Sequence, residues 1–200
     1  MAKIRLTKNE LKKQKDALKR FNRYLPTLIL KKQQLQIEIR KVDVQRNERE
    51  ARRRDLVNDL DRWIAVFGED VGLESLIAVV SLRVETGNIA GVDIPLFQGL
   101  DFRPVEYNLF EMPLWVDTAV ETLKKLLLLE AELRILGEQA RLLGEELRIT
   151  TQRVNLFEKV KIPEAKENIR IIQIYLGDQQ TAAVVRGKIA KNKIVKVTEA

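Results

Sequence analysis

Histidine and cysteine are both missing from this chain, and most of the usual chemistry of active sites goes with them. Without a thiol there is no disulfide, thiolate nucleophile or cysteine-ligated zinc. Without an imidazole there is no histidine acid–base chemistry near neutral pH. Carboxylates are left as the only metal ligands. Aromatic residues are scarce at 6%, which favours long helices over a compact mixed core. Five prolines and nine glycines are few, and several cluster between Gly68 and Pro113, so the chain has one main place to turn. No apolar run approaches the roughly 20 residues that cross a bilayer; even Leu126–Leu129 is closed by Glu130. The opening MAKIRLTKNELKKQ has no apolar core of a secretory signal, and a soluble cytoplasmic protein is expected.

What is present is charge and helical periodicity. Charged residues make up 32% of the chain, unevenly placed: the net charge is +10 over residues 1–60, −8 over 61–148 and +5 over 149–200. Such asymmetry suits either a nucleic-acid surface or a polar shaft fitted into a protein collar. The first third steps by three and four residues through Leu11, Gln14, Leu18, Phe21, Leu25, Leu28, Lys32, Leu35, Ile39 and Val42. The step continues through Arg46, Arg49, Arg53, Leu56, Leu60, Trp63 and Phe67. This is the narrow seam of a coiled coil rather than the broad face of a globular helix. Thr7 and Glu10 have capping-box spacing and place the helix start near Lys8. Pro26 is expected to kink the helix, and Arg52–Arg54 reads as a solvated or salt-bridged face.

The seam restarts at Ala119, Thr122, Leu126, Leu129, Leu133, Leu136, Ala140, Leu143, Leu147, Thr150, Val154 and Phe157. Past Pro163 two stripes appear, one through Ala165, Ile169, Ile172, Leu176 and Ala183, the other through Ile171, Tyr175, Ala182, Val185 and Ile189. A helix apolar on two faces has two things to pack against: here, the N-terminal helix and something outside the chain. Between the long segments, residues 69–80 suggest a short helix. Branched residues alternating around Ala90–Gly91 then suggest two short strands in a hairpin, which must lie against the helices or a partner. Its glycines lack the following Lys-Ser or Lys-Thr and the helix start of a phosphate loop. Tyr107, Phe110 and Trp115 read as core or interface.

The expected fold is therefore all-α: a long antiparallel two-helix coiled coil with a short β-hairpin insert, divided as residues 1–67, 68–113 and 114–200. Both termini would share one end, with the insert at the other. If Phe67 sits opposite residues 116–122, Pro26 and Pro163 fall at one height. Helices of about 60 and 75 residues would make a rod roughly 90 to 110 Å long.

No catalytic constellation, metal cluster or cofactor site is discernible, and neighbouring carboxylates such as Glu145 and Glu146 point in different directions on a helix. What remains is a mechanical rod, a scaffold, or a basic arm for nucleic acid. Several stretches bear on that choice. Arg153-Val154-Asn155-Leu156-Phe157-Glu158 followed by Ile162-Pro163 and Asn168-Ile169-Arg170-Ile171-Ile172 resembles the RVNALE, IP and TI..I signature of the D subunit of the vacuolar and archaeal (V/A-type) rotary ATPases. Residues 83–97, RVETGNIAGVDIPLF, are similar to the KVxxENVAGVxLPxF hairpin of that family. Residues 28–35, LILKKQQL, are similar to its LLKKKRDEL segment, with Gln33 and Gln34 in place of Arg-Asp.

The resemblance covers nearly the whole chain in the same order. It implies a non-catalytic central rotor shaft for an ATPase or ATP synthase, peripheral to the membrane. Its implied partners are the A and B subunits of the catalytic hexamer, the small F subunit, and the cap subunit (d or C) of the membrane rotor, with neither nucleic acid nor direct membrane insertion. On that basis Lys8, Lys12, Val185, Arg186, Lys188, Ile189 and Lys191 are candidates for the hexamer-facing tip. Val84, Ile89, Val92, Ile94 and Phe97 of the hairpin are candidates for partner contact. The rival, a nucleic-acid arm, predicts affinity falling steeply with salt. Its only aromatics for stacking at the basic ends are Phe21, Tyr24, Phe157 and Tyr175, three of them on the seams.

Overall fold

The computed structural model describes residues 4–61, 72–103, 105 and 112–198. The protein is mostly helical. Helix α1 spans Lys8–Asp61, a single turn α2 spans Leu73–Leu76, strands β1 (Ala78–Ile89) and β2 (Val92–Arg103) form an antiparallel hairpin, and α3 spans Trp115–Leu156. A π-helical turn, Phe157–Lys161, joins α3 to α4, Ile162–Thr198. Trp63, Phe67, Tyr107 and Phe110, expected in the seam and the connection, lie outside the described residues. Two compact units result, residues 1–30 with 150–200, and residues 31–149.

In the first unit, the Thr7 hydroxyl accepts from the Glu10 backbone N–H at 3.2 Å. Only that half of the capping box forms, because the Glu10 carboxylate accepts from Gln14 instead, at 2.8 Å. The seam is buried as its period demands: every position from Leu11 to Leu60 except Arg46 is buried or half-buried, and so is every seam position from Ala119 to Phe157. Past Phe157 the buried positions are Ile162, Ala165 and Ile172, with Ile169 and Leu176 half-buried.

That run is one residue out of phase with the preceding 3,4 step, and the π-turn supplies the extra residue. The Ile162 N–H donates to the Phe157 carbonyl, five residues back rather than four. A proline has no N–H, and its ring crowds the carbonyl four residues earlier; here that is Lys159, inside the widened turn. The π-turn thus makes room for Pro163 and returns the seam to its original side.

Phe21 and Phe157 rings meet at 5.3 Å between centroids, and Asn168 Nδ2 lies 3.5 Å from Gln14 Oε1. Pro163, between Phe157 and Asn168, is thus level with a point near Ala17. Pro26 lies about nine residues, or roughly 13 Å, further along α1. The expected common height of the two prolines is wrong by more than two helical turns.

In the second unit the same shift appears. Lys31 pairs with Glu146 at 2.6 Å, Arg49 with Glu132 at 2.7 Å and Arg53 with Glu130 at 2.9 Å. The partners descend along α3 as they ascend along α1, so these segments run antiparallel. The expected register would have set Lys31 opposite residues 152–158. The arginines that interrupt the α1 seam are explained by these pairs, since Arg49 and Arg53 reach acids on α3. Partly exposed ion pairs add little stability, but they mark the register.

The hairpin lies in this unit. Its two-residue loop has Ala90 at φ 53° and Gly91 at φ 79°, with Ile89 paired to Val92. Both signs are those of a type I′ turn, whose twist suits the strands. Each strand runs 12 residues, longer than expected, with irregularities at Val79/Ser81 and Arg83/Val84. Of the anticipated helix over residues 69–80, the described part is helical only at Leu73–Leu76, and β1 begins at Ala78; the valines and Ile77 favour extended backbone.

Ile94, 1% exposed, enters one core cluster with Leu35, Val42, Leu136 and Leu143. At the other end of the strand, Lys124 Nζ lies 6.0 Å from the Phe102 ring centroid. Between them Gln139 Nε2 donates to the Pro95 carbonyl at 2.5 Å. From Lys124 to Gln139 a helix rises about 22 Å, and from Pro95 to Phe102 a strand covers about 23 Å. The spans match, so β2 lies along α3. The hairpin is therefore folded back over the helices, not held at their far end. A smaller cluster of Leu76, Val116 and Val120 seats α2 on the start of α3.

Candidate interaction surfaces

The seven expected tip residues all lie in the first unit and all are exposed. They do not form one level. Asn168 sits beside Gln14, so Lys8 is level with about residue 174, and Val185 is about 16 Å beyond it along α4. Lys8 and Lys12 thus belong to the zone where α1 still accompanies α4. Val185, Arg186, Lys188, Ile189 and Lys191 belong to a stretch that has outrun it. From Gly177 to Ile194 every side chain is exposed.

The two stripes beyond Pro163 are resolved by this geometry. The first is buried or half-buried at Ala165, Ile169, Ile172 and Leu176 but exposed at its last member, Ala183; the second, Ile171, Tyr175, Ala182, Val185 and Ile189, is exposed throughout. Val184, Val185, Ile189 and Ile194 are 59, 50, 51 and 65% exposed. Arg186, Lys188 and Lys191 stand among them without an ion-pair partner among the described residues. An apolar stripe flanked by cations is thus left uncovered by the described residues.

The five hairpin candidates divide differently. Ile94 is core, and Ile89 and Val92 pack against the same cluster. Phe97 is half-buried and lines a groove beneath the hairpin with Glu38, Val42 and Gln139. Val84 alone is open, at 44%, and its neighbours Val80 and Leu82 on β1 are 60 and 42% exposed. The sequence shows which residues alternate but not which face the helices cover, and Val80 and Leu82 were missed for that reason.

Electrostatics on the helices is local. The Arg141 guanidinium, hydrogen-bonded to Glu138, holds that carboxyl below its usual range. Arg170 does the same to Glu167. Both pairs are one turn apart on exposed helix faces. Among the described residues there is no cluster of three potential metal ligands, and no helix is long and apolar enough to cross a membrane.

Long helices buried along a narrow seam, with a two-stranded antiparallel hairpin packed on them in the second unit, define a mostly helical protein with a small β insert. Comparison with known proteins makes that class specific. Residues 10–192 match the family of the ATP synthase D subunit. The chain is 52% identical over 98% of its length to the V-type ATP synthase D subunit of Borreliella burgdorferi, covering 97% of that protein. It is 34% identical to the corresponding protein of Chlamydia pneumoniae, over 96% of this chain and 93% of the relative. With that of Chlamydia muridarum the identity is 33%, over 96% of both. The chain belongs to the ATP synthase D-subunit family.

Proposed function

We propose that this chain is the central stalk of a V/A-type ATPase or ATP synthase, transmitting rotation between a catalytic A/B hexamer and a membrane ion-translocating rotor. It is non-catalytic, as ATP chemistry would reside in the A and B subunits, and it is peripheral to the membrane. The small F subunit and the cap subunit (d or C) are its other partners. Family membership carries this reading, and the uncovered end of α4 gives it a physical form. The burial of both seams supports an antiparallel two-helix coiled coil along α1 with α3 and α4. A densely packed seam resists deformation, which is what a shaft needs to convey torque.

The exposed stripe and cations of residues 177–194 are the surface offered to the hexamer. Arg186, Lys188, Lys191, Val185 and Ile189 carry it, with Lys8 and Lys12 at its base. A nucleic-acid arm is less well supported, because part of the basic N-terminal charge is used against acids on α3, and Phe21 and Phe157 are occupied with each other.

Mixing the purified chain with an A/B hexamer tests the proposal. A stoichiometric complex is expected, with ATP-driven rotation of a bead fixed to this chain. Failure to bind the hexamer, together with salt-sensitive binding to duplex DNA or RNA, would overturn it.

A further inference from the structure

The two stripes of α4 are offset from each other by one residue. Ala165, Ile169, Ile172 and Leu176 are buried or half-buried, whereas Ile171, Tyr175, Ala182, Val185 and Ile189 are exposed. Continuing the 3,4 step of α3 past Phe157 without a slip gives positions 161, 164, 168, 171, 175, 178, 182, 185 and 189, which run through every member of the second stripe. The π-turn Phe157–Lys161 holds one residue more than a regular α-helix needs. The offset between the stripes and the excess in the turn are thus the same residue. While the turn keeps it, the first stripe packs against α1. An uninterrupted helix would turn α4 by about 100° and bring the second stripe there instead.

Particular residues fix the resting phase. In an uninterrupted helix Pro163 would crowd the Lys159 carbonyl, and Lys161, Glu164 and Asn168 would take the places now held by Ile162, Ala165 and Ile169. Two of the three are already at the edge of the seam: Lys161 and Asn168 are half-buried, and Asn168 Nδ2 lies 3.5 Å from Gln14 Oε1. The turn itself is lightly held. The Ile162 N–H donates to the Phe157 carbonyl, and the next residue, Pro163, has no N–H to give, so the helix lacks one main-chain bond here. Glu158, Lys159 and Val160 are exposed. An open groove of about 960 Å³ separates Lys159, Val160 and Pro163 from Ile4, Arg5 and Glu10, and that flank of the turn is left unbraced.

We infer that the π-turn is a phase joint: passing its extra residue back into regular α-helix turns α4 by about 100° and exchanges the first stripe for the second against α1. Val185, Arg186 and Ile189 ride on the same helix and turn with it, so the surface that α4 offers changes direction while a seam is kept. A two-phase element of this kind responds to anything that favours one phase over the other. The joint lies wholly within residues 1–30 and 150–200, and a failure to bind the A/B hexamer would leave it untouched.

Because the chain has no cysteine, spin labels at Asp16→Cys and Lys166→Cys in the full-length chain report on the joint alone. Both sites are exposed, and they stand at about the same level, Asp16 on the face of α1 away from the seam. Turning α4 carries residue 166 from the flank of the seam to its outer side and lengthens the distance between the labels by several ångströms. Pro163→Ala with Asn168→Leu removes the ring and makes the second seam more apolar. This pair should raise the fraction of molecules at the longer distance roughly tenfold or more. Deleting Val160 together with Pro163→Ala should leave the shorter distance alone, since an uninterrupted helix then presents the first stripe. In the unlabelled parent chain, amides of residues 157–165 should exchange roughly tenfold faster than those of residues 150–156 and 169–176.

A single, unchanged distance in the Pro163→Ala, Asn168→Leu chain overturns the inference. So does a longer distance that persists once Val160 is deleted, and so does exchange in the turn as slow as in its flanks. Should the substituted chain lose helix content by circular dichroism, the exchange rates of the parent decide the matter.

Discussion

Ile94 ties the hairpin to the helices. It is 1% exposed, in one cluster with Leu35, Val42, Leu136 and Leu143. Truncating a fully buried isoleucine loses transfer energy and leaves a cavity, so Ile94→Ala should destabilise the second unit by about 2–5 kcal/mol. Denaturant unfolding would measure that loss, and hydrogen exchange should show faster exchange across β1 and β2. A substitution felt only in global unfolding, with hairpin protection unchanged, would argue against this anchoring.

Glu138 behaves differently, because it is exposed and acts through Arg141. Its carboxyl is held below the usual range by the hydrogen bond from that guanidinium. A depressed carboxylate pKa gives stability that is present above the unfolded-state value and lost as pH falls through the folded-state value. Glu138→Gln should therefore be less stable than the parent at neutral pH, the difference closing as the carboxylates protonate below about pH 4. High salt should also shrink it. Thermal melts at several pH values and salt concentrations would check both trends.

At the scale of elements, the helices and the turn were plain in the sequence, while their relative placement was not. The 3,4 step from Leu11 to Leu60 predicts which side of α1 is covered, and branched alternation around Ala90–Gly91 locates the loop. Yet aliphatic residues repeating every three and four positions pack about as well after a shift of one heptad. The true register is marked by polar pairs such as Lys31–Glu146, and the assumed opposition of Phe67 to residues 116–122 displaced it. The π-turn did leave a trace: Val154 and Phe157 followed by Ala165, Ile169 and Ile172 is a seam that slips by one residue across a proline. Nothing comparable announces that the hairpin folds back, because Ile94 differs from other strand isoleucines only in what it meets.

That folding back makes the insert part of what holds the second unit together. Replacing residues 78–103 by a short flexible linker would take Ile94, Ile89, Val92 and Leu96 away from the cluster that holds Leu35, Val42, Leu136 and Leu143. The shortened chain should remain helical at low temperature but melt several degrees earlier than the parent, since each lost kcal/mol moves the midpoint by about 2–8 °C. Circular dichroism on both chains gives the answer. An unchanged melting temperature would make the hairpin a passenger on the helices.

For the whole molecule, the distribution of charge and burial separates what holds the chain together from what it offers to others. The +10 of residues 1–60 faces inward in part, through Arg49 and Arg53 to the acids of α3, so net charge by region overstates the free basic surface. The end of α4 carries no such debt: from Gly177 to Ile194 its side chains are exposed, and its cations pair with nothing among the described residues. Truncation after Leu176 should accordingly leave the melting temperature of the remainder within about 2 °C of the parent, in keeping with the small effects of changes away from packed sites. The same truncation should abolish stable binding to the A/B hexamer and rotation driven by ATP, because it removes Val185, Ile189 and their flanking cations together. If the truncated chain still turned in the hexamer at the parental rate, the hexamer-facing surface would have to lie lower, where Lys8 and Lys12 accompany Ile171 and Tyr175.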